Sequence, residues 1–137
     1  MSESEVPEAM HIIVQRYMTK ELHTVAPGSS VLAVARTFLE HRISGAPVID
    51  ADGQLVGVVS EKDLLKAMLG DEANPLAIVS EVMSTEVVTV PPDMSVYTLA
   101  SVFRHNPYRR LPVVHESVLV GQISRSDLLR CLLDLVS

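Results

Sequence analysis

The chain carries one short pattern twice, and this duplication limits its fold more than any other feature. Met18-Thr19 is answered by Met83-Ser84, and Thr24-Val25-Ala26-Pro27 by Thr89-Val90-Pro91-Pro92. Ser30-Val31 matches Ser95-Val96, Ala35 matches Ala100, Phe38 matches Phe103, and Pro47-Val48-Ile49 matches Pro112-Val113-Val114, all at one offset. The second copy then drops one residue. Leu55-Val56-Gly57 matches Leu119-Val120-Gly121, and Ser60-Glu61-Lys62-Asp63-Leu64-Leu65 matches Ser124-Arg125-Ser126-Asp127-Leu128-Leu129. The gap falls at Ala51-Asp52-Gly53, a turn-forming stretch where length is free to vary.

Each copy reads as strand, helix, strand, strand, helix, so the expected class is α+β with two β-α-β-β-α repeats. Residues 22–25 form a short β-prone run stopped by Pro27. Ser29 or Ser30 caps a helix whose apolar residues, Val31, Val34, Ala35, Phe38 and Leu39, recur at helical spacing. Val48-Ile49 predicts a second strand, Asp52-Gly53 a hairpin, and residues 55–59 a third strand. Ser60 opens a second helix with Leu64, Leu65, Met68 and Leu69 on one face. The second copy repeats the plan: residues 87–90, then Val96, Leu99, Ala100 and Phe103 on a helix that ends before Pro107. Val113-Val114, residues 118–123, and Leu128, Leu129, Leu132 and Leu133 follow. A short apolar helical stretch precedes each copy, at Ile12-Ile13-Val14 and at Ile78-Val79. The expected boundaries are a tail and the start of a leading helix at 1–13, the first repeat at 14–70, a linker at 71–78 and the second repeat at 79–137. A unit this small cannot cover both faces of its sheet. Two copies related by a pseudo-twofold can, with two clefts at the seam.

Size and composition narrow the function. The 137 residues suit one ordinary domain, and 47% hydrophobic with 20% charged content reads as globular. Aromatics are only 4%, so the core is aliphatic. A net charge of -6 argues against nucleic acid as a partner. No apolar run approaches the roughly 18 residues that span a bilayer, and the acidic MSESEVPEA start lacks the apolar core of a signal peptide. The cytoplasm is therefore the expected location. The lone Cys131 has no internal disulfide partner and reads as core packing. His11, His23, His41, His105 and His115 show no zinc or heme spacing, so no metal site and no cofactor are expected. Neither Ser60 nor Ser124 lies in a Gly-x-Ser-x-Gly motif, and no phosphate-cradling glycine loop is present. The chain is thus read as having no catalytic residues.

The repeated motifs resemble the tandem CBS-domain family, the regulatory modules named after cystathionine β-synthase. They are Met-Thr, Thr-Val-x-Pro, Ile-Ser-Gly-Ala-Pro-Val-Ile-Asp and Gly-Val-Val-Ser-x-x-Asp-Leu-Leu. The resemblance runs from about Val14 to Leu132, and the chain looks like a stand-alone pair. It implies an adenine-containing ligand, such as AMP, ADP, ATP or S-adenosylmethionine, bound in the two clefts and signalled to a regulated partner protein. It also implies a homodimer, a flat disc of four repeats. By the resemblance, the Gly-x-x-Ser-x-x-Asp turn of one repeat contacts ribose and phosphate, and the other repeat supplies the adenine pocket. One site would pair Ser124, Ser126 and Asp127 with Met18, His23, Ile43 and Ser44. The other would pair Ser60, Lys62 and Asp63 with Met83, Val88, Tyr108 and Arg109, with Arg110 beside them.

These residue types suit that chemistry. A carboxylate accepts two hydrogen bonds from a vicinal diol. Ser hydroxyls and free amides at a helix N-terminus favour phosphate. Ile43 and Tyr108 offer flat apolar surface to a purine, and Arg109, Arg110 and Lys62 offer cations to phosphate oxygens. Ser44-Gly45 stands where Arg109-Arg110 stands, so unequal sites are expected. A plainer reading stays open beside this one. Ser-x-x-Asp at a helix start is a capping pattern worth about 1 kcal/mol, Arg109 and Arg110 also read as a solvated pair, and Lys62 as a solvent-exposed helix-start lysine. The whole chain can equally be an assembly module with empty sites.

Overall fold

The computed structural model describes residues 11–136. Of the tail and leading helix expected at 1–13, and of the signal-peptide reading, residues 1–10 lie outside them; within them Ile13 and its counterpart Ile78 are extended rather than helical, and the short helical turns that follow begin at Val14 and Val79. The chain divides into two units that do not follow the chain order of the repeats. One unit runs His23–Val87, and the other joins the segment up to Leu22 with Val88 onward.

In the first unit, helix α1 (Val31–His41) leads into strand β1 (Gly45–Ile49), strand β2 (Leu55–Ser60) and helix α2 (Glu61–Met68), with the one-turn helix α3 (Val79–Val82) following the linker. Ser30 caps α1 by accepting the Ala33 amide at 3.1 Å, which decides between the two expected caps. β1 and β2 pair antiparallel with a bulge between Val48 and Ile49. The expected first strand shrinks to one residue. Val25 donates to the Pro47 carbonyl and accepts from Ile49, a single parallel bridge on the outer edge of β1. Pro27 ends the run on one side, and on the other Pro47 has no N–H to donate to the next carbonyl upstream, so the ladder stops. On the opposite edge, Ser84 exchanges two backbone hydrogen bonds with Val58, both 2.9 Å. The core gathers Val25, Val31, Val34, Phe38, Ala46, Val48, Val59, Leu64, Ala67, Ala77 and Val79.

The second unit repeats the arrangement with a borrowed piece. Helix α4 (Val96–His105), strand β3 (Arg110–His115), strand β4 (Val118–Ser124) and helix α5 (Arg125–Val136) follow in order, and a 3-10 turn at Val14–Arg16 packs with them. Val90 bridges Val113 as Val25 bridges Val48. Again the expected strand, here at residues 87–90, is a single bridge. The far edge of β4 is closed by Thr19, which exchanges hydrogen bonds of 2.8 and 2.9 Å with Gln122. Val96 donates to the Ile12 carbonyl and Val14 to the Met94 carbonyl, both at 2.8 Å, while Val31 and Ala77 repeat the former bond in the first unit. The segment before each repeat therefore seals the edge of the other repeat's sheet, which removes an open strand edge.

The apolar helix positions divide between core and surface. α2 buries Leu64 and Ala67, whereas Leu65 is 56% and Leu69 66% exposed and Met68 also lies on the surface. α5 buries Asp127 and Cys131 and exposes Leu129, Leu132 and Leu133. Helical spacing shows that residues share a face. It does not show that the chain's own sheet covers that face. No helix among the described residues is long and apolar enough to cross a membrane.

Candidate functional site

Each unit sets a serine and an aspartate at the start of the helix that follows its hairpin. β2 ends at Ser60 in extended conformation, and α2 begins at once. The turn leaves the first amides of α2 without intrahelical partners. Ser60 Oγ accepts the Asp63 amide at 3.2 Å, while Asp63 Oδ2 accepts the Ser60 amide at 2.9 Å and the Ser60 hydroxyl at 3.0 Å. In the other unit, Ser124 Oγ accepts the Asp127 amide at 3.0 Å and Asp127 Oδ2 accepts the Ser124 amide at 2.8 Å. Both motifs are reciprocal capping boxes. The capping reading thus holds for both aspartates, and the cap also fixes the direction of each carboxylate.

The residue entering each hairpin closes the same corner. The Glu61 amide donates to the Ser44 carbonyl, and the Arg125 amide to the Arg109 carbonyl, both at 2.9 Å. In register, Gly45 faces Ser60 and Arg110 faces Ser124. Within a unit, then, Ser44 stands with Ser60, and Arg109 and Arg110 stand with Ser124. The sets expected from the sequence draw on both units: Met18, Ser124, Ser126 and Asp127 belong to one, and His23, Ile43 and Ser44 to the other. In the second set, Ser60, Lys62, Asp63 and Met83 fall in the His23–Val87 unit, and Val88, Tyr108, Arg109 and Arg110 outside it.

Several of these side chains also have structural work. Met83 lies over Gly57, where a Cβ would come within 2.7 Å of its sulfur and 2.8 Å of the Ser84 carbonyl oxygen. Met18 lies over Gly121 in the same way, 2.7 Å from sulfur and 3.0 Å from the Thr19 oxygen. Only glycine lets the sealing segment approach the sheet this closely. Ile43 and Met83 pack against one core and Met18 against the other. Lys62, Ser126, Tyr108, Arg109, Arg110 and Val88 are exposed. His23 stacks on His41, ring centroids 4.3 Å apart, a pairing that sequence reading missed because the two are far apart along the chain. It also missed Arg130, which donates to Asp127 Oδ1 at 2.9 Å. The signal was available, since Asp and Arg three apart on a helix are neighbours.

Asp63 borders a groove of about 600 Å³ in its own unit, shared with Lys66, Ala67, Asn74, Ala77 and Glu81. A second, apolar groove of about 240 Å³ runs between α1 and α2, lined by Ala35, Phe38, Leu39, Leu64, Leu65 and Met68. Among the described residues no cluster of three or more His, Cys, Asp or Glu has the geometry to hold a metal ion.

The CBS domain pattern matches residues 14–70 and again 79–134. The chain belongs to the CBS-domain family. Its two CBS repeats are 31% identical over 115 residues to the CBS domain-containing protein YhcV of Bacillus subtilis, covering 84% of this chain and 81% of YhcV. They are 28% identical over 119 residues to the protein MJ1225 of Methanocaldococcus jannaschii, covering 87% of this chain but only 42% of MJ1225. The crystal structure of CBSX2 in complex with AMP has a TM-score of 0.79 and 29% identity, with 92% of this chain and 99% of CBSX2 covered. The CBS fold, two small antiparallel sheets with flanking helices, is shared with CBSX2.

Proposed function

We propose that the chain is a non-catalytic regulatory module that binds an adenine-containing molecule, of the AMP, ADP, ATP or S-adenosylmethionine class, and reports it to a partner protein. The observation that carries this reading is the duplicated helix start, where a serine and an oriented aspartate face the same corner in both units. A carboxylate fixed this way accepts hydrogen bonds from a ribose diol, and amides and hydroxyls at a helix start favour phosphate. The likeness to CBSX2, which binds AMP, supports the ligand class. Ligand shifts the module only by its difference in affinity for two arrangements, so signalling requires a bound and a free state that differ in a surface the partner reads.

Isothermal titration of nucleotide-stripped protein with AMP, ATP and S-adenosylmethionine tests this. Saturable heat for at least one is expected, weakened by Asp63→Asn. Flat heats for all three leave only the second reading, assembly without ligand.

That second reading has its own observation. Leu39 is 78% exposed and, with Leu65 and Met68, lines the apolar groove between α1 and α2. In the other unit, α5 likewise exposes Leu129 and Leu132. Apolar faces of this kind on a soluble chain mark contact surfaces, and a second copy of the chain presents the matching face. Sedimentation velocity is expected to show a dimer that Leu39→Lys with Leu65→Lys converts to a monomer. The two readings are compatible, since a dimer can also hold ligand.

A further inference from the structure

The two helix-start carboxylates are held differently. Asp127 is 5% exposed, and both its oxygens are engaged, Oδ2 by the Ser124 amide at 2.8 Å and Oδ1 by the Arg130 guanidinium at 2.9 Å. Asp63 is half-buried, and both hydrogen bonds it accepts, from the Ser60 amide and hydroxyl, fall on Oδ2. Among the described residues, no cation pairs with it. The repeat alignment puts Lys66 in Arg130's place, one helical turn beyond the aspartate. Lys66 borders the same groove as Asp63 but makes no ion pair with it.

We propose that Arg130 is a lock on Asp127, so that the ribose of an adenine ligand is taken first by Asp63. This rests on the proposed adenine-binding function. A diol donates two hydrogen bonds and needs free acceptor capacity on the carboxylate. At Asp63 one oxygen has that capacity. At Asp127 both oxygens of a nearly buried carboxylate already hold a donor, so a diol has to compete with the Arg130 guanidinium, which brings a full positive charge where a hydroxyl brings none. The Arg130 side chain is 60% exposed, so it can swing into water without burying its charge, and the lock is removable. The same position in the other repeat holds a lysine, a point charge without the planar fork that grips a carboxylate oxygen.

Equilibrium dialysis of the full chain with AMP, and separately with S-adenosylmethionine, counts the sites. The wild type is expected to show one tight site per chain, and Asp63→Asn to remove it. Arg130→Gln is expected to tighten the second site by about tenfold, the effect of losing one charge-assisted bond. Arg130→Lys, which copies the residue the other repeat tolerates, is expected to do so in part and guards against misfolding of the glutamine variant. Lys66→Arg is expected to weaken the first site by a similar factor. Two equal sites in the wild type, or unchanged binding in all three Arg130 and Lys66 variants, overturns the lock while leaving the ligand function standing. Absence of binding in every chain with both ligands overturns the ligand function and the lock together.

Discussion

The unit built on the second repeat fills its core with larger side chains than its twin. Leu99, Leu111, Ile123 and Cys131 stand where the first unit has Val34, Ala46, Val59 and Ala67, and Ile12 stands where that unit has Ala77. Both sets are buried. In the first unit two of the small residues, Ala67 and Ala77, border the groove that Asp63 also borders. In the second, Ile12 and Cys131 pack together with Val96 in a closed cluster. Core packing is close everywhere in a folded protein, so smaller side chains at matched positions leave room for something else. The two copies share one backbone plan and differ in filling: one carries the larger side chains and an ion-paired carboxylate, the other the smaller ones beside a groove that the half-buried Asp63 borders.

The connectivity sharpens this contrast and supplies the largest expected effect. The first unit is continuous in sequence, but the second depends on residues 11–22. A chain beginning at His23 loses Val14, which is fully buried, and Ile12, which is 9% exposed, along with the Thr19 bridge that closes β4. Losing those two side chains alone costs about 3–6 kcal/mol. Hydrogen exchange on the truncated chain is expected to show β3 and β4 amides losing protection while β1 and β2 keep theirs. Equal loss in both pairs breaks the contrast, because it makes the two units one cooperative block.

Much of this was legible in the residues. The repeat located both hairpins, and the gap at Ala51-Asp52-Gly53 fell on the first turn, where Asp50 Oδ1 accepts the Asp52 and Gln54 amides. The serine caps Ser30, Ser60, Ser95 and Ser124 follow from local chemistry, because a cap needs only the next three residues. The exchange of sealing segments was not legible. Thr19 and Ser84 each contribute one bridged residue, too short for any periodicity, and their partners lie far along the chain. The state of the aspartates was half legible. Ser-x-x-Asp announced the caps, but burial separates Asp127 from Asp63, and burial depends on the packing of the whole unit.

A substitution of middling size tests the core side of the comparison. Leu111→Ala gives the second unit the residue its twin carries at Ala46. Leu111 is 1% exposed, and the cavity it leaves is expected to cost about 3 kcal/mol by chemical denaturation. The reverse change, Ala46→Leu, adds bulk to a core already closed around Val48 and Phe38 and is expected to cost about 1–3 kcal/mol through overpacking. If Leu111→Ala proves nearly neutral, the second unit is not the tighter one, and the contrast in filling loses its physical basis.

The smallest effect concerns a clasp that only the second unit has. The Tyr17 hydroxyl donates to Asp134 Oδ2 at 2.7 Å, tying the borrowed segment to α5, and the matching position in the first unit is Val82. The hydrogen bond to Asp134 holds the phenol's pKa above its ordinary 10.0, with desolvation and the nearby carboxylate charge adding to it. A raised value in the folded state means the protonated phenol is the stabilising form. Its contribution is therefore complete below the ordinary value and is lost as pH rises through the folded value. Tyr17→Phe is expected to lower stability at neutral pH by less than any change above, because the bond is exposed to solvent. The gap between the two chains is then expected to narrow only above pH 10, where the phenolate faces the Asp134 carboxylate. A gap that closes already near neutral pH assigns the clasp to some other titrating group. If the two chains are equally stable at every pH, Tyr17 contributes packing alone, and the borrowed segment is then held by Ile12, Val14 and the Thr19 bridge without help from the hydroxyl.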